Sequence, residues 1–163
     1  MAQAAPRGGA VPHADMTEQV LLGAILLEED QAWSEGVDAI VRPADFFTPE
    51  HRATYSMMLA LHRRGEAVTV PTVIAEMARQ RVIDRVDELT GGAETYLVAC
   101  VGIDWMFSAR GCSAWARQIA EYSARRTAIT NATAQASSAL DLTQRIGPSV
   151  PIYERDEYRG AVV

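Results

Sequence analysis

The feature that most restricts the fold is an almost unbroken apolar run, Val20 to Leu27, that directly follows a helix start signal. Asp15 stands where a helix N-cap belongs, and Glu18 follows three residues later, as in a variant of the capping box. A helix that is apolar on more than one side needs several neighbours to cover it. The run therefore predicts a first helix that is buried on more than one face.

Start and stop signals then predict a second and a third helix. Apolar residues between Trp33 and Val41 repeat at the spacing of one helical face, and a proline ends the run. In Thr48-Pro49-Glu50 we expect the threonine to cap the third helix, the proline to occupy its first turn and the glutamate to complement the helix dipole. This helix should stop at Gly65, after two arginines.

Three more short helices are predicted before residue 110. A fourth opens at Thr69-Val70-Pro71, and a fifth short segment lies near Asp84–Leu89. The pair Gly91-Gly92 breaks the chain, and a sixth helix follows through Tyr96–Val101. A loop containing Gly102, Asp104 and Gly111 should end this group of helices.

One long helix is predicted from Ser113 to Leu142, because selected residues recur in steps of four and three over nearly four heptads. The residues of this seam are Trp115, Ile119, Tyr122, Arg126, Ile129, Thr133, Ala136 and Leu140. Several alanines keep the later part of the helix slim, so that another helix could approach closely. With no evident intrachain partner, the seam predicts an interface made by Trp115, Ile119, Tyr122, Arg126, Ile129 and Thr133.

The expected fold class is all-α, a compact bundle of about six short helices followed by one long helix. We divide the chain into a flexible arm at 1–12, a helical globular domain at 13–109, the long interface helix at 110–142 and an irregular tail at 143–163. The Gly- and Pro-containing sequence after Leu142 motivates the last boundary. No apolar run approaches the roughly 18 residues of a membrane span, so we expect a cytoplasmic protein without a membrane partner.

Charge argues against nucleic-acid binding through most of the chain. All 15 basic residues are arginine, and residues 1–109 carry 8 of them against 16 acidic residues. Clustered lysine and arginine drive phosphate binding, so DNA contact should be weak and indirect. Arg117 and Arg125, beside Arg126, form the sole basic stripe, which we interpret first as a solvated helix face. Without lysine, the chain cannot contain a G-x-x-x-x-G-K-[ST] phosphate-binding loop.

No catalytic, cofactor or metal site is predicted. Cys100 and Cys112 lack zinc-ligand spacing and should be buried, reduced thiols. His13, His51 and His62 have no carboxylate or second histidine at a productive spacing, and we expect His51 to serve capping and packing.

Several motifs together resemble the N-terminal domain of DnaB-type replicative DNA helicases. They are the opening helix, Asp45-Phe46-Phe47 before a helix with His51-Arg52, Val68-x-Val70, Gly91-Gly92 followed by Tyr96-Leu97, and Trp115-Ala116-x-x-Ile119 leading to Arg126. Their order and spacing cover about residues 12–140. The sequence departs from the family pattern at Thr69, at Trp115 and in the loop from Gly102 to Cys112.

The resemblance implies a non-catalytic collar domain that comes before an ATPase motor. In that family, helical hairpins pair between neighbouring subunits of a hexamer, and the collar docks primase. Self-association and contacts with primase and helicase subunits are therefore expected, while ATP and Mg²⁺ would belong to a motor outside these residues. The second helix of the hairpin is truncated or missing in this sequence.

Two other hypotheses stay open on the sequence alone. The chain could be a fragment of a complete ATP-dependent DNA helicase whose motor lies elsewhere. It could also be a free-standing helical regulator or a weak DNA-binding protein that uses the same fold, in which case salt-sensitive DNA binding should depend on Arg117, Arg125 and Arg126.

Overall fold

A computed structural model describes residues 15–104 and 111–146. All regular structure in these ranges is helical, as predicted, and no strand occurs there. The α-helices are α1 (Asp15–Leu27), α2 (Glu29–Ser34), α3 (Val37–Ile40), α4 (Pro49–Arg63), α5 (Val70–Arg79), α6 (Ile83–Thr90), α7 (Ala93–Asp104) and α8 (Cys112–Ile146), with a 3₁₀ turn at Pro43–Asp45 between α3 and α4.

Helix α1 lies at the centre of the core, as its apolar sequence predicted. Every residue from Val20 to Ile25 is buried, and the most extensive helix packing in the described structure joins α1 to α7. The largest fully buried apolar side chains come from five helices and the segment before α4: Leu21, Leu22, Ile25, Phe46, Tyr55, Met58, Leu61, Met77, Leu97 and Ile119.

Local signals set the ends of α4, α5 and α6 close to where they were predicted. Pro49 opens α4 and Gly65 follows its C-terminal turn with φ of 70°. Thr69 caps α5 through its side chain, which accepts a hydrogen bond from Thr72 N. Gly91 ends α6 in the left-handed region, where glycine meets no steric penalty.

Three predicted boundaries were wrong. The single helix over Trp33–Val41 is two short helices, because Gly36 takes a φ of 74° between them. Helix α7 continues through Gly102 to Asp104, so the loop begins later than predicted, and residues 105–110 lie outside the described ranges. Helix α8 runs to Ile146 and not to Leu142, because the first strong breaker is the Gly147-Pro148 pair.

A buried carboxylate ties α4 to α5. Glu76 is 3% exposed, and its oxygens accept hydrogen bonds from Arg64 Nη2 at 2.8 Å and Arg79 Nε at 2.8 Å. Burial opposes its ionisation, but the bonds from Gln80, Arg64 and Arg79 prevail and lower the pKa of Glu76 to about 2. The carboxylate is therefore ionised and fully paired near neutral pH.

The chain divides into two compact units, and the division falls within α8. The first unit ends at Arg126 and the second begins at Thr127. In the second unit residues 127–146 are helical, and every side chain from Thr127 to Leu142 is exposed. The predicted arm at 1–12, and the tail beyond Ile146, lie outside the described residues. Among the helices that the structure describes, none combines the length and the apolar character of a membrane span.

Candidate interaction surface and its supporting contacts

The first part of the α8 seam packs within its own chain. Ile119 and its neighbour Ala116 are fully buried in the core, and Trp115 packs against that core while partly buried. The premise that this face has no intrachain partner was therefore wrong for Trp115 and Ile119. Their interface role was inferred from that premise and loses its support.

The next residues of the seam fasten α8 to the segment that precedes α4. Arg126 donates through Nη2 to the carbonyl oxygen of Asp45, and its guanidinium lies 5.4 Å from the centre of the Phe47 ring. One turn earlier, Ser123 Oγ donates to Asp45 Oδ1 at 2.8 Å. Arg126 thus acts as a structural anchor inside the first unit.

The basic stripe on α8 is partly engaged by contacts within the chain. Arg125 forms an ion pair with Glu121 at 2.5 Å, and its guanidinium lies 5.7 Å from the centre of the Tyr122 ring. The backbone N–H of Ser113, the Gln31 amide and the nearby charge of Arg117 lower the pKa of Glu35. Arg125 and Arg126 therefore have partners in the chain, which reduces their availability for phosphate.

The later part of α8 presents a different surface. Ile129 is 48% exposed and Leu140 is 61% exposed. By helical spacing, Thr133 and Ala136 lie on the same face between them, and we call these four residues the outer α8 face. The stretch from Thr127 to Leu140 contains no charged residue. An exposed helix face that is apolar at two positions and uncharged throughout is a candidate interaction surface.

A buried carboxylate in α1 holds the N-terminus of α4. Glu18, 1% exposed, accepts hydrogen bonds from the backbone N–H groups of Phe47 at 2.7 Å and Thr48 at 3.3 Å. The Thr48 hydroxyl donates to the same carboxylate at 2.6 Å, and His51 Nδ1 lies 2.9 Å from it. The predicted capping by the Thr48 side chain was wrong, because that hydroxyl makes no cap hydrogen bond. The carboxylate of Glu18 accepts hydrogen bonds from the N–H groups at this end of α4 instead, although the sequence pattern places Glu18 at the start of its own helix.

The geometry of Glu18, Thr48 and His51 is structural and not that of a catalytic triad. The hydroxyl and the carboxylate both contact Nδ1 of His51, the hydroxyl at 2.6 Å. A triad needs the base to contact the carboxylate through one ring nitrogen and the nucleophile through the other. The predicted packing role of His51 is confirmed, since its ring stacks on Tyr96 at 5.9 Å between centroids. It does not cap the helix itself, because α4 has no side-chain cap hydrogen bond.

The two cysteines are buried and free, as predicted. Burial raises the pKa of Cys100 to about 11, so its thiol is an inert core group near neutral pH. In the described ranges, no three histidine, cysteine or acidic residues are grouped so that they could hold a metal ion.

Comparison with known proteins places this helical architecture in one family. The sequence model of the DnaB-like helicase N-terminal domain matches residues 10–121. The replicative DNA helicase DnaB of Geobacillus stearothermophilus is 31% identical over 122 residues, which are 75% of this chain and 25% of that protein. The DnaB of Mycobacterium leprae is 36% identical over 86 residues, which are 52% of this chain and 13% of that protein.

A solved structure agrees with this result. The crystal structure of the N-terminal domain of DnaB helicase from Mycobacterium tuberculosis superposes with a TM-score of 0.65 at 28% identity, covering 86% of this chain and 91% of that one. The chain spans only about a quarter or less of the two helicases' own length. The outer α8 face begins beyond residue 121, where the match to the family model ends.

Proposed function

The chain belongs to the family of DnaB-like helicase N-terminal domains, and we propose that it is a non-catalytic replication domain that joins helicase subunits through α8. Its proposed partners are a second copy of the chain, other replicative helicase subunits and primase. We place it in the cytoplasm with the replication machinery. Nucleotide hydrolysis is not proposed for these residues, because the sequence has no lysine for a phosphate-binding loop.

The observation that carries the proposal is the outer α8 face. A helix in water obtains most of its stability from packing of an apolar face or from pairs of opposite charges. Residues 127–140 offer no charges, and Ile129 and Leu140 are both exposed. The hydroxyl of Thr133 donates to the Ile129 carbonyl at 2.9 Å, so its proton is already bonded within the helix.

A helix is the partner that suits this face best. Ala136 and Thr133 are small, so a second helix can approach closely between the bulkier Ile129 and Leu140. The face is uncharged, which disfavours nucleic acid, since phosphate binding depends on positive charge. A second copy presents an identical uncharged face, and pairing two of them buries apolar surface on both.

Light scattering on a sizing column tests this proposal. The wild-type chain should elute as a dimer or larger assembly. The double variant Ile129→Glu, Leu140→Glu should dissociate, with self-affinity lowered by at least about a hundredfold, because each partner would bury two carboxylates in place of apolar side chains.

A matched control adds the same two charges to the other side of the helix. Asn131 and Ser138 lie opposite the outer α8 face by helical spacing, and the variant Asn131→Glu, Ser138→Glu should keep the wild-type mass. Equal dissociation of both variants would indicate a general effect of charge. A wild-type chain that is monomeric at high concentration would contradict self-association through α8.

Mixing experiments test the proposed partners. The chain should shift in mass when mixed with the C-terminal domain of a cognate primase or with a cognate helicase subunit. A chain that ignores both would remove the replication partners from the proposal. DNA binding is the alternative that the engaged side chains of Arg125 and Arg126 disfavour, and fluorescence anisotropy with labelled DNA at low salt would reveal it.

A further inference from the structure

A groove runs between the start of α2 and the loop that leads into α5. Two open cavities of about 500 and 440 Å³ meet there, and Glu29 and Asp30 line both of them. We define the α2 groove by its two walls, residues 26–31 on one side and residues 65–69 on the other. Cavities of this size lie in the range that accommodates ligands and partner side chains.

The walls of the α2 groove include apolar surface that remains exposed. Leu27 lies beside the first cavity and is 50% exposed. In the second cavity the Trp33 ring stacks on His62 at 4.2 Å between centroids. The backbone N–H of Val68 donates to Glu29 Oε2 at 2.9 Å and joins the two walls. The groove is therefore held in shape by contacts of the chain itself.

The rim of the α2 groove is negatively charged. Glu28 and Asp30 are exposed, and neither carboxylate makes a hydrogen bond or an ion pair with any residue that the structure describes. The third exposed carboxylate, that of Glu66, is paired with Arg64 at 2.6 Å. No arginine lines either cavity. A concave acidic surface of this kind concentrates positive charge.

We propose that the α2 groove binds an extended segment of a partner protein in which basic side chains flank an apolar one. The basic groups would pair with Glu28 and Asp30, and the apolar side chain would cover Leu27. Acidic residues in a first turn stabilise the helix dipole, and this accounts for the charge. It does not account for Leu27, which lies half-exposed beside these carboxylates and the first cavity. A partner with both basic and apolar side chains would cover it.

The probe is a fluorescein-labelled peptide, Ala-Arg-Leu-Arg-Ala, titrated with the full chain and followed by anisotropy and by amide shifts in ¹H–¹⁵N spectra. Shifts should concentrate at residues 26–31 and 65–69. The double variant Glu28→Gln, Asp30→Asn should weaken binding about tenfold, because it removes two exposed ion pairs. Binding should also fall when salt is raised from about 50 to about 500 mM.

Two controls separate the groove from a general attraction to an acidic protein. Asp84 and Glu94 are likewise exposed first-turn acids, in α6 and α7, and the variant Asp84→Asn, Glu94→Gln should bind as the wild type does. The peptides Ala-Glu-Leu-Glu-Ala and Ala-Arg-Ser-Arg-Ala should bind more weakly, since each lacks one of the two required characters. The proposal would be overturned if both double variants lost affinity equally, or if the serine peptide bound as tightly as the leucine peptide. Amide shifts concentrated outside residues 26–31 and 65–69 would also overturn it.

Discussion

Replacing Glu18 with glutamine should destabilise the fold strongly although the side chain keeps its shape. The carboxylate is buried and accepts four hydrogen bonds, from Phe47 N, Thr48 N, Thr48 Oγ1 and His51 Nδ1. A hydrogen bond to a charged group contributes about 1.5–3 kcal/mol, against about 0.5–1.5 kcal/mol between neutral groups. The amide oxygen can still accept from the backbone, but the amide N–H₂ meets another donor.

From these contacts we expect Glu18→Gln to lower the free energy of unfolding by about 2–4 kcal/mol near pH 7. Urea unfolding followed by circular dichroism measures it. Glu28→Gln is the matched control, because Glu28 is exposed and unpaired among the described residues, and it should change stability by less than about 0.5 kcal/mol.

The pH dependence gives a second, independent check on Glu18. Burial opposes ionisation, but hydrogen bonds from His51, Phe47 and Thr48 prevail and lower the pKa of Glu18 below the usual 4.5. The unfolded chain then binds more protons than the folded one in this window, so stability falls as pH falls below 4.5. Glutamine does not titrate, so the difference in free energy of unfolding between the wild type and the Glu18→Gln variant should narrow below pH 4.5. Equal stability near pH 7, or a gap that stays constant in acid, would refute this account.

Three further substitutions test other parts of the structure, each by urea unfolding. Ile119→Ala should cost about 2–5 kcal/mol because it opens a cavity in the core, whereas Ile129→Ala should change stability little; similar effects would contradict the packing of α8. Gly36→Ala should cost about 1–2 kcal/mol, since the φ of 74° disfavours alanine while its Cβ would meet no atom within 4 Å; no loss would refute the left-handed turn. Arg126→Ala should cost about 1–3 kcal/mol by leaving the Asp45 carbonyl without this donor, and a neutral result would argue against the anchor.

The family resemblance could be found from the sequence because it rests on short motifs in a fixed order. Those motifs predicted an all-helical domain like that of the DnaB family, and the family model and the structural match confirm this. The candidate interface was harder to predict. The heptad spacing of α8 treats Ile119 and Ile129 alike, but only the folded chain shows that Ile119 is in the core and Ile129 is exposed.

The sequence by itself determined the helices whose ends carry strong local signals. Pro49 and Gly65 set the limits of α4, and Gly91 ended α6, because proline geometry and left-handed glycine act within one turn of the chain. Tertiary structure alone decided what Glu18 does. Its partners at Phe47, Thr48 and His51 lie 29–33 residues away, and a spacing pattern within one helix carries no information about a carboxylate's partners in another. Packing of α1 against α4 brings these groups together. Because the carboxylate is buried, each of its hydrogen bonds then contributes to the stability of the fold.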